Sequence, residues 1–223
     1  MSKHLQRGLI ELREDLLSLF GVVEQMIDLA VRSLVERRPD FAKRVIATDR
    51  SVDVREVEIE EECLKLLALH QPVATDLREV ITIVKINSEI EQMADLACSI
   101  AERAVSLDNF PLFTVPEELN EMVHESISMV RRALDAFITS DAQKAREVIQ
   151  DDDVVDALNR IIIEQLQEVM QESSDHIIPG VHCFSASRSI ERVADLATSL
   201  AEDTIYLIEG EIVRHKYGES TRQ

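Results

Sequence analysis

The sequence has no tryptophan, two tyrosines and six phenylalanines, so aromatics make up only 4% of the chain. The core must therefore be built from Leu, Ile, Val, Ala and Met, which suits packed helices better than a β-sandwich. Glycine and proline are equally scarce, five of each in 223 residues, which is too little turn chemistry for many short strands. The glycines, Gly8, Gly21, Gly180, Gly210 and Gly218, are isolated, which excludes a Gly-rich phosphate loop. No apolar run approaches the roughly 18–20 residues needed to span a bilayer. Met1-Ser2-Lys3-His4-Leu5 leads straight into an amphipathic pattern, so no cleaved leader is expected. The three cysteines, Cys63, Cys98 and Cys183, are odd in number and far apart. They read as reduced core thiols of a cytoplasmic protein, not as a disulfide framework or a zinc site. Positive charge is the last shortage: 24 Lys and Arg stand against 43 Asp and Glu, a formal charge of −19. Such a surface repels DNA phosphates and anionic headgroups and attracts cations or basic protein surfaces. Neither direct DNA binding nor membrane insertion is expected.

What the chain does have is helical periodicity. Leu16, Phe20, Val23, Ile27, Ala30, Val31 and Leu34 recur at the spacing of one helix face. Breakers then divide the chain: Pro39, Gln71-Pro72, Asp108-Asn109-Phe110-Pro111 with Pro116, the cap signal Ser140-Asp141, Ile178-Pro179-Gly180, and Gly210 as a C-terminal stop. The pattern predicts six helices over residues 4–36, 40–69, 72–107, 116–139, 141–172 and 176–209, with a polar tail over 211–223.

An internal repeat organises these helices. Residues 90–104 read IEQMADLACSIAERA and residues 190–204 read IERVADLATSLAEDT, identical at nine of fifteen positions. Amphipathic helices share apolar classes by chance, but hardly the Glu, Asp, Ser and second Glu as well. The chain is expected to be all-α, two tandem three-helix bundles over residues 1–112 and 113–210.

Each repeated helix carries Glu-x-x-x-Asp, Glu91/Asp95 and Glu191/Asp195, and the helix before it carries Asp-x-x-x-Asp, Asp49/Asp53 and Asp152/Asp156. Residues four apart share a helix face, and like charges so placed repel by a few tenths of a kcal/mol unless something neutralises them. Spacing alone marks no more than a solvated acidic face, because Glu11/Asp15, Glu24/Asp28, Glu36/Asp40 and Glu147/Asp151 fit the same template. Register adds to it. Facing residues of an antiparallel hairpin have numbers that sum to twice the turn position. Both 49 with 95 and 53 with 91 give 144, a turn at Pro72; both 152 with 195 and 156 with 191 give 347, a turn between Ser173 and Ser174. Each repeat therefore brings four carboxylates to one level. Ile83, Ile90, Ala94, Ala97 and Ala101 mark the core stripe of the third helix, and the carboxylates flank it. Four oxygen donors with no His or Cys in register suit a hard cation such as Mg²⁺, Mn²⁺ or Fe³⁺ better than tetrahedral zinc. Glu102 and Glu202 lie on the same face three turns on, either serving a larger cluster or simply exposed.

Three segments carry a family resemblance: LALHQPVATDLREV (Leu67–Val80), the paired IExxADLA runs, and IYLIEGEIVRH (Ile205–His215). Along almost the whole chain these resemble the PhoU family, with Gln71-Pro72-Val73-Ala74-x-Asp76-Leu77-Arg78 the most specific part. The resemblance implies a non-enzymatic regulator of bacterial phosphate uptake that represses the phosphate-starvation response. It implies as partners a sensor histidine kinase and the ATPase of the phosphate ABC transporter, a homodimer, and attachment to the inner membrane only through protein partners. It also implies metal clusters on Asp49, Asp53, Glu91, Asp95, Asp152, Asp156, Glu191 and Asp195. The family includes iron and zinc members, so iron, zinc, manganese and magnesium all stay open. Ala94 and Ala194 stand where the family usually has Gly.

The competing chemistry is a metal-dependent hydrolase or oxidase using the surface carboxylates. A ferritin-like di-iron site needs two Glu-x-x-His motifs, and Glu121-x-x-His124 has no partner. His70, His176 and His182 sit near hairpin turns and read as structural. No Ser or Cys lies in a nucleophile motif. Arg78, Arg131, Arg132 and Arg188 read as ion-pair partners on an acidic bundle.

Overall fold

The computed structural model describes residues 3–107, 110 and 114–210. Its long helices are α1 (Lys3–Val35), α2 (Pro39–His70), α3 (Ala74–Leu107), α4 (Glu118–Thr139), α5 (Ala142–Glu172) and α6 (Ile177–Glu209). A single 3₁₀ turn, Ser174–His176, joins α5 to α6. No strand occurs among the described residues. Every helix bound lies within two residues of its predicted position. The expected unit boundary at 112/113 and the tail after Gly210 lie outside the described residues.

Local chemistry sets the ends. Pro39 opens α2, where its missing N–H is no loss. Gln71 closes it in the left-handed region (φ 45°), its N–H donating to the Leu67 carbonyl, and Pro72 prevents continuation. The Asp141 carboxylate accepts from the Lys144 backbone N–H at 3.0 Å and caps α5. Pro179 falls in the first turn of α6. Gly180 beside it leaves room for α5: a Cβ there would lie 2.6 Å from the Met170 side chain. Gly210 ends α6 at φ 74°, and its N–H donates to the Tyr206 carbonyl.

Helices α1, α2 and α3 pack pairwise into one bundle, and α4, α5 and α6 into a second. The predicted α1 face from Leu16 to Leu34 and the α3 stripe from Ile83 to Ala101 are buried throughout. Each fully buried Leu or Ile contributes about 1.5–3 kcal/mol. The α2 face Ala42, Val45, Val52, Ile59 is matched in the second bundle by Ala145, Val148, Val155, Ile162, all buried.

The bundles join mainly along α3 and α6, with a narrower contact between α1 and α4. The Lys85 ammonium pairs with the buried Asp203 carboxylate at 3.0 Å across this seam, and Asp95 shares a cleft with Arg192. The helices are therefore antiparallel, and this register sets Ala94 opposite Ala194. Both alanines are buried, and their small size lets the backbones come close. Glu24 of α1 pairs with Arg131 of α4 at the other contact.

Candidate metal centres on the two helix hairpins

The eight predicted carboxylates form two clusters with one burial pattern. Asp49 and Glu91 are half-buried while Asp53 and Asp95 are exposed. Asp152 and Glu191 are half-buried while Asp156 and Asp195 are exposed. The half-buried positions sit against the core stripes of α2/α3 and α5/α6, and the others face outward one turn away.

Electrostatics shows which groups face each other. In the first cluster, burial and then the Asp53 and Asp95 charges push the Asp49 carboxyl above its ordinary pKa, while the Cys98 thiol beside it pulls the other way. Burial also raises Glu91, followed by Asp95, Glu56, Asp53 and Asp49. In the second cluster Asp152 rises to about 7, through burial first and then Asp195, Asp156, Asp153 and Glu191. Burial dominates the upward shifts of Glu191 and Asp195 too, with Arg188 opposing both. Although Asp195 is open to solvent on one side, protein atoms crowd its carboxylate closely enough for desolvation to lead. The pairings run across each hairpin as the register predicts: 49 with 95, 53 with 91, 152 with 195, 156 with 191.

The donor set fits a hard cation. All the candidate donors are oxygens, they stand at one level, and Asp49 Oδ1 is buried without a hydrogen-bond partner. The clusters are not preformed cages, since no three His, Cys, Asp or Glu groups among the described residues converge on one point. A bound cation would have to draw the side chains together. Such an ion would supply positive charge that the carboxylates lack.

Three features escaped the sequence reading. Glu56, seven residues after Asp49 and so on the same face, joins the first cluster and is itself raised by burial, Glu60 and Asp53. Asp153 adds to the second. Extending the spacing rule from four residues to seven finds Glu56. The third is asymmetry: Arg188 forms an ion pair with Glu191 in the second cluster, whereas the matching residue of the first is Ser88. Glu102 is exposed and Glu202 half-buried; Glu102 contributes to the surroundings of Cys98.

The remaining candidates are structural. Arg131 and Arg132 pair with Glu24 and Asp151, and Arg78 bonds Thr75. His124 is exposed, His176 Nδ1 meets the Val169 carbonyl at 3.2 Å, and His182 stacks obliquely near Phe110. The cysteines are free thiols, each pushed up to about 12 by burial.

Comparison with known proteins follows the same two-fold division. The PhoU domain matches twice, over residues 16–104 and 119–204. The chain belongs to the PhoU family. It is 37% identical over 213 residues to the phosphate-specific transport system accessory protein PhoU homolog of Aquifex aeolicus, covering 96% of each chain. It is 33% identical over 226 residues to the PhoU accessory protein of Escherichia coli strain K12, covering 98% of this chain and 92% of that one. The crystal structure of PhoU from Pseudomonas aeruginosa superposes with a TM-score of 0.84 at 33% identity, over 92% of this chain and 99% of its own. The phosphate transport system regulatory protein PhoU of Streptococcus pneumoniae gives 0.86 at 29%, over 94% and 99%. No described helix is long and apolar enough to cross a membrane.

Proposed function

We propose that this protein is a non-enzymatic accessory regulator of phosphate transport that binds hard cations on its two carboxylate clusters. Near full-length similarity to phosphate-specific transport system accessory proteins carries this reading. In it, the protein works in the cytoplasm as a homodimer and restrains the phosphate-starvation response through a sensor histidine kinase and the ATPase of the phosphate ABC transporter. With a charge of −19 it would act on transcription only through another protein. A partner docking by charge would present basic surface, and its association would weaken with salt.

The raised carboxyls of both clusters support cation binding, because an ion relieves repulsion that the folded chain otherwise bears. Iron, manganese, magnesium and zinc are distinguished by elemental analysis of metal-replete protein. The quadruple change Asp53→Asn, Glu91→Gln, Asp156→Asn, Glu191→Gln should abolish the bound metal; an undiminished stoichiometry would end the cation reading. For the regulatory role, deleting the gene should derepress phosphate uptake in phosphate-rich medium, and the tagged protein should capture the kinase or the ATPase. Sedimentation velocity checks the dimer. The hydrolase alternative wins if neither partner binds and a metal-dependent phosphoester turnover disappears in the quadruple variant.

A further inference from the structure

Helix α2 has a second apolar face that its own bundle does not use. Its core side, with Ala42, Val45, Val52, Ile59 and Cys63, is buried where α2 packs on α1 and α3. On the other side Ile46, Val54, Val57 and Leu64 are 43%, 52%, 49% and 56% exposed. The hairpin does not require them: in the second repeat Ala157, Arg160 and Gln167 take the places of Val54, Val57 and Leu64. An apolar stripe carried in water by one copy alone points to something that covers it.

The exposed face has the spacing of a coiled-coil seam. Ala47, Arg50, Val54, Val57, Glu61, Leu64 and Ala68, all exposed, follow one another at alternating steps of three and four residues. It is also complementary to itself. Facing residues of two identical antiparallel helices have numbers with a constant sum, and 54 with 57, 50 with 61 and 47 with 64 all give 111. Val54 then meets Val57 at the centre, Arg50 meets Glu61 one layer out, and Ala47 leaves room for Leu64 beyond. A two-fold axis makes each of these contacts twice. Neither Arg50 nor Glu61 is in an ion pair among the described residues. Parallel pairing would set Arg50 against Arg50 and Glu61 against Glu61, so charge fixes the direction.

We propose that this face of α2 is where a second copy of the chain docks, antiparallel, about a two-fold axis between Val54 and Val57. The inference rests on the homodimer of the proposed function and assigns its interface. Residues 47–68 span about 32 Å of helix, and one helix pair of that length lies at the low end of specific interfaces, below about 1,200 Å². Glu58 and Glu60 edge the stripe and each chain carries −19, so repulsion opposes the contact and the dimer exchanges readily.

Sedimentation equilibrium of the full chain from about 1 to 100 μM, in about 0.15 M salt to screen that repulsion, tests the face. Wild type should dimerise. Arg50→Glu sets like charges against Glu61 and Glu61→Arg sets them against Arg50, so each variant should dimerise at least about tenfold more weakly. Mixed in equal amounts, the two variants should recover a dimer of wild-type strength, because each then meets opposite charge at both layers. Val57→Asp, at the apolar centre, should remove association outright. All the substituted residues are exposed, and circular dichroism confirms that the variants fold. A wild type that stays monomeric overturns both the face and the homodimer, and leaves the stripe to a different protein. A wild-type dimer that the charge changes leave intact overturns the face alone. Weakening in each variant without recovery in the mixture overturns the antiparallel register.

Discussion

Replacing Asp152 by Asn should stabilise the metal-free protein at pH 8 and do progressively less as the pH falls. Burial and four surrounding carboxylates lift Asp152 from 3.8 to about 7. The folded chain therefore holds a proton that the unfolded chain releases near 3.8. Stability linked to that proton is fully present below 3.8 and is lost as the pH rises to about 7. Three pKa units set a ceiling of about 4 kcal/mol. Asp152 keeps one side open to water, and screening reduces the effect to about 1–2 kcal/mol. Asn has nearly the shape of the protonated acid and never ionises, so the variant avoids this loss. The expected gain at pH 8 corresponds to about 2–8 °C in melting temperature for a chain of this size. Thermal unfolding of EDTA-treated protein by far-ultraviolet circular dichroism at pH 5.5 and 8 measures it. The gap between variant and wild type should widen with pH, and Mn²⁺ should reverse its sign by stabilising only the intact cluster. A gap that is constant with pH, or a variant less stable than metal-free wild type at pH 8, would refute the reasoning.

Three further outcomes follow from the packing. Ala94→Leu overfills the α3–α6 seam and should cost about 1–3 kcal/mol in urea unfolding; unchanged stability would mean that the helices do not meet there. Burial and, after it, the Asp49 carboxylate hold the Cys98 thiol up, so Asp49→Asn should speed iodoacetamide labelling of Cys98 at pH 8 and leave Cys63 and Cys183 unreactive. Gly210→Val forces a β-branched residue to a φ of 74° and should lower stability by about 1–2 kcal/mol, with Gly210→Asn milder.

The helices and their hairpin pairing were legible because their causes are local. Pro39, Pro72 and Asp141 act within a turn of where they stand, and a short connection leaves an antiparallel hairpin little freedom of register. The level carboxylates follow from that register. How the repeats dock on each other was not legible. Periodicity marks Ile83, Ile90 and Ala94 as buried but does not say which helix covers them, and Ala94 meeting Ala194 depends on contacts a hundred residues apart. The Arg188–Glu191 pair was hidden for a similar reason: three-residue spacings between opposite charges are common, and only side-chain packing selects the ones that close.

The seam at Ala94 and Ala194 is an axis relating two copies of one unit. Two identical subunits around such an axis would have to repeat every residue, but a fused chain is released from that constraint. This one has used the freedom beside its acidic clusters, with Arg188 and Arg192 in one copy and the neutral Ser88 and Gln92 at the same places in the other. On the cation reading proposed above, two clusters with unequal built-in counter-charge would fill at different ion concentrations. The occupancy of the pair would then climb over a broad range instead of in one sharp step, and a single molecule would report amount as well as presence.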